Sequence, residues 1–203
     1  AVIVGPNGAA KSTVMRVLLG MLDATAGEVK LDGNDISMLS TQERISLGLA
    51  FVPQNKNVFP SMTVEENLEM GAFLRTDDIK KTMEEVYNLF PILYEKRRQL
   101  CEELSGGQRQ QVAFGRAMMT HPSVMLLDEP TAGVSPIVMD EIFSNILDVR
   151  DAGMAVLMIE QNAQQALNIA DKGYVLVSGR NEHTGTGREL INDPEVRKKF
   201  LGG

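Results

Sequence analysis

The 203-residue sequence predicts an α/β domain with a largely parallel β-sheet and an inserted helical subdomain. Three observations support this prediction. Short apolar runs alternate with stretches whose apolar residues recur at helical spacing, a pattern typical of parallel strands joined by helices. A glycine-rich loop lies between the first apolar run and the first helical stretch. The alternation stops over about residues 62–119, where the pattern is helical, and then resumes.

The individual elements can be predicted in chain order. The continuous apolar run at 1–4 predicts a strand buried on both faces, and the residues after the loop at 5–10 predict an amphipathic helix. Asp32-Gly33 predicts the turn of a hairpin over 28–36. Pro91 is predicted to end the second helix of the inserted helical subdomain, which we call the lobe. The remaining elements are a helix at 41–47, a strand at 49–52, lobe helices at 63–74, 77–90 and 106–119, strands at 124–127, 154–159 and 174–177, helices at 136–150 and 162–170, and a C-terminal helical stretch.

The charge balance and the single cysteine narrow the class of protein. A net charge of −7, from 20 basic and 27 acidic residues, argues against nucleic acid as a partner bound through a basic surface. Cys101 can form no disulfide within the chain, which fits a reducing compartment. No apolar run approaches the roughly 18 residues of a membrane-spanning helix. Because the sequence opens without Met and inside a strand, we expect missing N-terminal strands before Ala1.

The glycine-rich loop predicts a phosphate site. Backbone N–H groups of such a loop, and of the helix that follows it, point at an anion, and the helix dipole favours negative charge there. Lys11 is expected to reach the β- and γ-phosphates, and the Ser12 hydroxyl to hold Mg²⁺. The alternative is a glycine-rich turn without a ligand. The loop consists of Gly5, Pro6, Asn7, Gly8, Ala9 and Ala10, followed by Lys11 and Ser12.

One position departs from the usual phosphate-loop pattern, which has glycine where this chain has Ala10. Glycine serves where backbone must approach a ligand closely, so a methyl group there can crowd the phosphate or tighten the loop. Alanine keeps the backbone N–H that donates to the anion. We therefore expect weakened rather than abolished nucleotide binding.

Two further segments carry residues suited to phosphoryl transfer. The apolar strand at 124–127 is followed by Asp128 and Glu129, where one carboxylate can serve Mg²⁺ and its neighbour can position water. The second segment opens the third lobe helix, and its N–H groups and hydroxyl can face another phosphate. Alone, it is also what a serine N-cap followed by glycines would be. Its residues are Ser105, Gly106, Gly107 and Gln108.

The order of these motifs resembles the ATP-binding-cassette (ABC) ATPases, which are P-loop NTPases with a RecA-like core. The resemblance covers essentially all 203 residues and includes Gln54, which matches the glutamine of the family's Q-loop, and the segment 133–136 in place of its D-loop. It implies that residues 1–203 are a single ABC ATPase domain, present as a fragment. The RecA-like core would be 1–61 and 120–203, and the helical subdomain 62–119.

The resemblance also implies a mechanism. Two such domains pair head to tail, as a homodimer or heterodimer, so that each ATP lies between the phosphate loop of one and the signature segment 105–108 of the other. Lys11, Gln161 and Glu129 are the implied catalytic residues, and Glu129 polarises the attacking water. The implied ATP-binding residues are Gly5, Pro6, Asn7, Gly8, Ala9, Ala10, Lys11, Ser12, Thr13 and Gln54. The implied Mg²⁺ residues are Ser12, Gln54 and Asp128. The implied partners are transmembrane permease subunits, on the cytoplasmic face of the inner or plasma membrane, where this chain would be peripheral.

Gln161 is a second departure, since most of the family carry a histidine at this strand end. An amide can donate a hydrogen bond to a phosphate but cannot become cationic, and the alternative is an ordinary polar residue. Glu160-Gln161-Asn162 and the tail from Asp193 to Gly202 resemble the ATPases of branched-chain amino-acid importers. The ATPases of lipopolysaccharide exporters share many of these sequence features, so a lipid exporter stays open as an alternative.

A catalytically impaired nucleotide-binding module is an alternative function, suggested by Ala10 and Gln161. A mechanical ATPase of DNA repair or translation would need coiled coils or a second cassette, which the sequence lacks.

Three isolated residues are interpreted as ordinary. His121 is predicted to lie in a loop and His183 in a late polar turn, and neither has a metal ligand at useful spacing. Cys101 has no activating base nearby. The apolar residues Phe51, Phe59 and Met62 either pack in the core or line a groove for a partner helix.

Overall fold

Strand β1 (Val2–Val4) is buried at all three positions and forms the centre of a mainly parallel sheet. It pairs in parallel with β6 (Ala155–Glu160) and with β7 (Gly173–Val177), and β8 (Arg180–Gly185) adds an antiparallel edge to β7. In this register the last residue of β1 lies between Glu160 and Val175. The loop that follows β1 therefore starts from the central strand of the sheet, beside β6 and β7.

A computed structural model describes residues 1–200 of the protein, and the chain divides into two compact units. The first unit, which contains the strand pairs just described, comprises residues 1–49 and the described chain from Leu157 onward. Its hairpin turns at Asp32 (φ 50°) and Gly33 (φ 82°), both in the left-handed region that a tight hairpin of this type requires. Its other elements are α1 (Lys11–Leu18), β2 (Lys30–Leu31), β3 (Asn34–Asp35), α2 (Thr41–Ser46), α8 (Ala163–Asn168), α9 (Gly187–Asn192) and α10 (Pro194–Phe200).

The second unit comprises residues 50–156 and is mostly helical. Strand β4 (Leu49–Val52) leads into it and neighbours β5 (Val124–Asp128). Helices α3 (Val64–Gly71) and α6 (Gly106–Met118) pack closely, because Gly115 has no side chain. A Cβ at Gly115 would lie 2.7 Å from Val86 and 2.9 Å from Leu68. The helices are α3 (Val64–Gly71), α4 (Lys80–Leu89), α5 (Pro91–Glu95), α6 (Gly106–Met118) and α7 (Pro136–Asp151), with a 3₁₀ turn at Cys101–Glu103.

Within residues 1–200, four helices begin with a capping box, in which a Ser or Thr side chain caps the N–H of the third helical residue and that residue's side chain bonds back. The pairs are Ser40 with Glu43 for α2, Thr63 with Glu66 for α3, Ser105 with Gln108 for α6, and Thr186 with Glu189 for α9. These boxes fix where the helices begin, including α6, which opens with the signature segment.

The predicted α/β class with a largely parallel sheet is confirmed, and the predicted helices and strands form with ends shifted by a few residues. Helix α5 and the polar strand β8 were not predicted from the sequence. The placement of His183 in a turn is wrong, because it lies within β8, opposite Val175. The division into 1–61, 62–119 and 120–203 stays a prediction, and Leu201 and Gly202 of the family-like tail lie outside the described residues.

Within residues 1–200, no helix is both long enough and apolar enough to cross a membrane.

Candidate functional site

The loop between β1 and α1 requires glycine at its first position. Gly5 has φ 151°, and a Cβ there would lie 2.1 Å from the carbonyl oxygen of Leu176 in β7. Gly8 has φ 81°, a conformation that L-residues rarely adopt, with open space around it. The loop can therefore run directly over the end of the sheet before α1 begins.

Ala10 occupies the N-cap of α1 in the left-handed conformation, with φ 69° and ψ 23°. This region costs an L-residue about 1 kcal/mol or more, because Cβ crowds the carbonyl oxygen. The Ala10 carbonyl accepts from the N–H groups of Thr13 and Val14. Helix geometry leaves the N–H groups of Lys11 and Ser12 without an intrahelical acceptor, so they are available to an anion. The alanine thus takes the backbone form that glycine would take, at a cost in strain.

The Lys11 side chain folds back onto the loop that it follows. It is 5% exposed, and its Nζ donates to the carbonyl oxygens of Gly5 (2.8 Å) and Pro6 (3.3 Å). An ammonium group has three N–H bonds, and these contacts use two of them. The cation is therefore held at the loop, where it can face a phosphate oxygen.

Gln161 belongs to the same unit and follows the strand beside β1. Glu160, the last residue of β6, is paired with Val4, the residue before the loop. The buried Glu160 carboxylate accepts from the backbone N–H groups of Gln161 (2.9 Å) and Asn162 (3.3 Å). The structure thus brings Gln161 to the same end of the sheet as the phosphate loop. Glu160 was not among the site residues predicted from the sequence, although its position beside Gln161 was the available signal.

In the second unit, Gln54 and Glu129 meet although 75 residues separate them. Gln54 Nε2 donates to Glu129 Oε2 over 3.1 Å. Glu129 directly follows Asp128, the last residue of β5, and has φ 45°. A non-glycine residue in this region is strained by about 1–3 kcal/mol, and such strain clusters at functional sites. The unit therefore fixes a carboxylate pair at a strand end, with an amide bound to one of them.

The signature segment begins α6. Ser105 Oγ accepts from the N–H of Gln108 (3.2 Å), and Gln108 Oε1 accepts from the N–H of Ser105 (3.1 Å). Ser105 is therefore a genuine N-cap, as its sequence context also allowed. Its hydroxyl proton is still available, because the capping bond uses the oxygen as acceptor.

The chemistry of the candidate donors suits Mg²⁺. In the first unit Ser12 offers a hydroxyl oxygen, and in the second unit Gln54 and Asp128 offer an amide and a carboxylate oxygen. Each is a hard ligand of the kind that this ion prefers. Across residues 1–200, no group of three or more His, Cys, Asp or Glu side chains is placed to hold a metal by itself. Oxygens of these kinds suit an ion held mainly through a nucleotide's phosphates, which needs few protein ligands.

Comparison with known proteins gives close relatives over nearly the whole chain. The high-affinity branched-chain amino acid transport ATP-binding protein BraG of Pseudomonas aeruginosa is 42% identical over 202 residues, covering 99% of this chain and 87% of the relative. The probable branched-chain amino acid transport ATP-binding protein LivF of Archaeoglobus fulgidus is 39% identical, covering 98% and 86%. The lipopolysaccharide export ATP-binding protein LptB of Haemophilus influenzae is 34% identical, covering 98% and 84%.

The fold has a similarly close match. The crystal structure of the ADP conformation of MJ1267, an ATP-binding cassette of an ABC transporter, superimposes with a TM-score of 0.89 and 29% identity, covering 100% of this chain and 87% of that one. The family model described as ABC transporter matches residues 1–132. Because the family model matches more than half of the chain and these relatives match nearly all of it, the chain belongs to the ABC transporter family, as an ATP-binding subunit.

Proposed function

We propose that this chain binds ATP at the Gly5–Ser12 loop and hydrolyses it to drive a membrane transporter. The observation that carries the proposal is the Lys11 ammonium group, held against the carbonyl oxygens of Gly5 and Pro6 at the start of α1. A cation, two N–H groups without intrahelical acceptors and the positive end of a helix dipole converge there. Together they match the charge of a nucleotide's phosphates.

Each remaining residue contributes to phosphoryl transfer, which depends mainly on positioning and charge. Glu129 accepts a proton from the attacking water, and Gln54 orients that carboxylate through its amide. Gln161, at the end of β6 in the first unit, donates to a phosphate oxygen. Thr13 and the loop residues from Gly5 to Ala10 line the phosphates.

Mg²⁺ would be held by Ser12, Gln54 and Asp128, and when bound it neutralises phosphate charge. The signature segment 105–108 faces the ATP of a second ABC subunit, with the two subunits arranged head to tail. The dimer, homomeric or heteromeric, sits on permease subunits at the cytoplasmic face of the membrane. The family membership and the helix start capped by Ser105 and Gln108 support this arrangement.

The proposed cargo is a branched-chain amino acid, moved inward. The two most similar of the relatives described above carry that name, and their identities of 42% and 39% exceed the 34% of LptB. A lipid exporter is the second candidate, supported by LptB itself. Complementation separates the two. We expect the chain to restore leucine uptake to Pseudomonas aeruginosa cells lacking BraG, and to leave Haemophilus influenzae cells lacking LptB defective. The opposite result would assign the chain to lipid export.

MgATP affinity and turnover test the enzyme itself. The chain and an Ala10→Gly variant are compared, with Lys11→Ala as the inactive control. Turnover by both establishes a working ATPase. Turnover by the glycine variant alone identifies Ala10 as an impairing residue and favours a catalytically impaired module. If neither binds ATP, the proposed phosphate site is wrong.

A further inference from the structure

The irregular stretch between β4 and α3 carries Gln54 and is fastened at several points within its own unit. We call residues 53–59 the Gln54 segment. At one end Gln54 bonds to Glu129. At the other, the side chain of Asn67 in α3 bonds to both the N–H (2.8 Å) and the carbonyl (3.0 Å) of Phe59. Between them, Asn57 Nδ2 donates to Gln110 Oε1 over 2.9 Å.

The Asn57 contact lies close enough along the chain to control Gln54. Three residues can span at most about 11 Å, and Lys56, between the two positions, has φ 55°, which constrains the path further. Gln54, Asn55 and Lys56 are exposed, whereas Asn57 is half-buried. The side chain of Asn57 is thus the first inward anchor after Gln54.

Gln110 supplies that anchor from the signature helix. It lies on α6, five residues after Ser105, and is only 7% exposed. Because α6 is a continuous helix of 13 residues, a side chain on its second turn moves together with its N-terminus. One buried amide therefore joins the segment that contacts Glu129 to the helix that begins with the signature residues.

We propose that Gln110 is a positioning residue of the ATPase. Through Asn57, it holds the Gln54 segment in register with α6, so that Gln54 meets Glu129 when the signature helix is in place. This inference rests on the proposed function, because it assigns Gln110 a task in ATP hydrolysis.

The neighbouring glutamine provides a matched control. Gln111 is 9% exposed, and its Nε2 donates to Asn145 Oδ1 in α7 over 3.2 Å, away from the Gln54 segment. Each glutamine has one bonded amide atom and one buried amide atom without a partner, Nε2 in Gln110 and Oε1 in Gln111. Replacement of either by methionine removes one buried hydrogen bond at similar volume. A purely structural role for Gln110 predicts equal consequences.

The experiment compares Gln110→Met, Gln111→Met and Asn57→Ala, and the double variant of Gln110 and Asn57. We expect Gln110→Met and Asn57→Ala each to lower kcat about tenfold while the Kd for ATP changes less than about twofold. The double variant should be no slower than the single variants, since both remove the same contact. Gln111→Met should keep kcat within about twofold while losing as much thermal stability as Gln110→Met. Equal loss of kcat in the two glutamine variants, or additive losses in the double variant, would overturn the proposal.

A second measurement does not depend on turnover. In the nucleotide-free chain, the side-chain amide resonances of Gln54 in ¹H–¹⁵N NMR spectra should shift in Gln110→Met and Asn57→Ala and stay in place in Gln111→Met. Unmoved resonances would overturn the positioning role even in an active enzyme. Shifted resonances in a chain that hydrolyses no ATP would instead retain the positioning contact and reject the proposed function.

Discussion

Gln54 and Glu129 are joined by a 3.1 Å hydrogen bond from the amide Nε2 to the carboxylate Oε2. The bond orients the carboxylate of a residue whose backbone is already held in a strained conformation, with φ 45°. A general base needs a fixed direction as well as a suitable pKa. The pair therefore orients Glu129 within its own unit.

Replacement of Glu129 by glutamine should separate binding from hydrolysis. The amide oxygen of the variant can still accept from Gln54, so the local geometry is retained, but it cannot take a proton from water. We expect ATP affinity to stay within about twofold and turnover to fall at least about 100-fold. Isothermal titration and phosphate release measure the two quantities. Glu182→Gln on the exposed strand β8 is the control, and unchanged turnover in Glu129→Gln would exclude the role proposed for Glu129.

Ala10→Gly should stabilise the protein. Glycine adopts the left-handed conformation of Ala10 without the crowding of a Cβ, and this gain outweighs its larger chain entropy when unfolded. We expect the free energy of unfolding in urea to rise by about 1 kcal/mol. Ala9→Gly is the matched control. Ala9 is buried and lies outside the left-handed region, so its replacement should destabilise the fold. A loss of stability in both variants would contradict the strain assigned to Ala10.

The thiol of Cys101 should be unreactive in the folded protein. It is fully buried, Asn67 Nδ2 donates to its Sγ over 3.2 Å, and burial raises its pKa from 9.0 to about 11. We expect labelling by a thiol reagent at pH 8 to require unfolding. Because the folded pKa is raised, the thiol's contribution to stability is complete below pH 9 and is lost as the pH rises through about 11. The free energy of unfolding of Cys101→Ala, measured in urea, should decline less over this pH range. Rapid labelling of the native protein would contradict the prediction.

Arg44 should be a major determinant of the first unit's stability. The buried guanidinium donates to the carbonyl oxygens of Val17 and Leu18, which end α1, and to those of Ser37 and Leu39. A cation at this end of a helix also complements its dipole. Arg44→Met removes these hydrogen bonds to four part-buried carbonyl oxygens, so we expect the free energy of unfolding in urea to fall by about 3 kcal/mol. Arg44→Lys keeps the charge and should lose about half as much. Equal losses would show that the charge contributes nothing.

The strands and helices that sequence could predict are those with a strong local signal. The buried run at 2–4, the Asp32-Gly33 turn and the Ser105 cap each depend on neighbouring residues alone. Strand β8 escaped prediction because its residues are polar and largely exposed at a sheet edge, so they show no apolar alternation. Pro91 was interpreted only as a helix stop, yet it also occupies the first turn of α5, where its missing N–H costs nothing.

The candidate site was predictable as a set of residues but not as a set of contacts. Motif order pointed to Lys11, Gln54 and Glu129, whereas no local pattern shows that an amide at 54 meets a carboxylate at 129. The Asn57–Gln110 bond likewise joins positions 53 residues apart. Such pairs arise from tertiary packing, and a single sequence carries no record of which distant side chains approach each other.

The four capping boxes differ in their response to acid. Glu43, Glu66 and Glu189 bond to their cap residues, which lowers the pKa of each carboxyl below 4.5, and these caps weaken only as the pH falls through those lowered values. The box that begins α6 uses Gln108, whose amide does not titrate. Acidification therefore frays the starts of α2, α3 and α9 first, and the signature helix retains its beginning when the others have lost theirs.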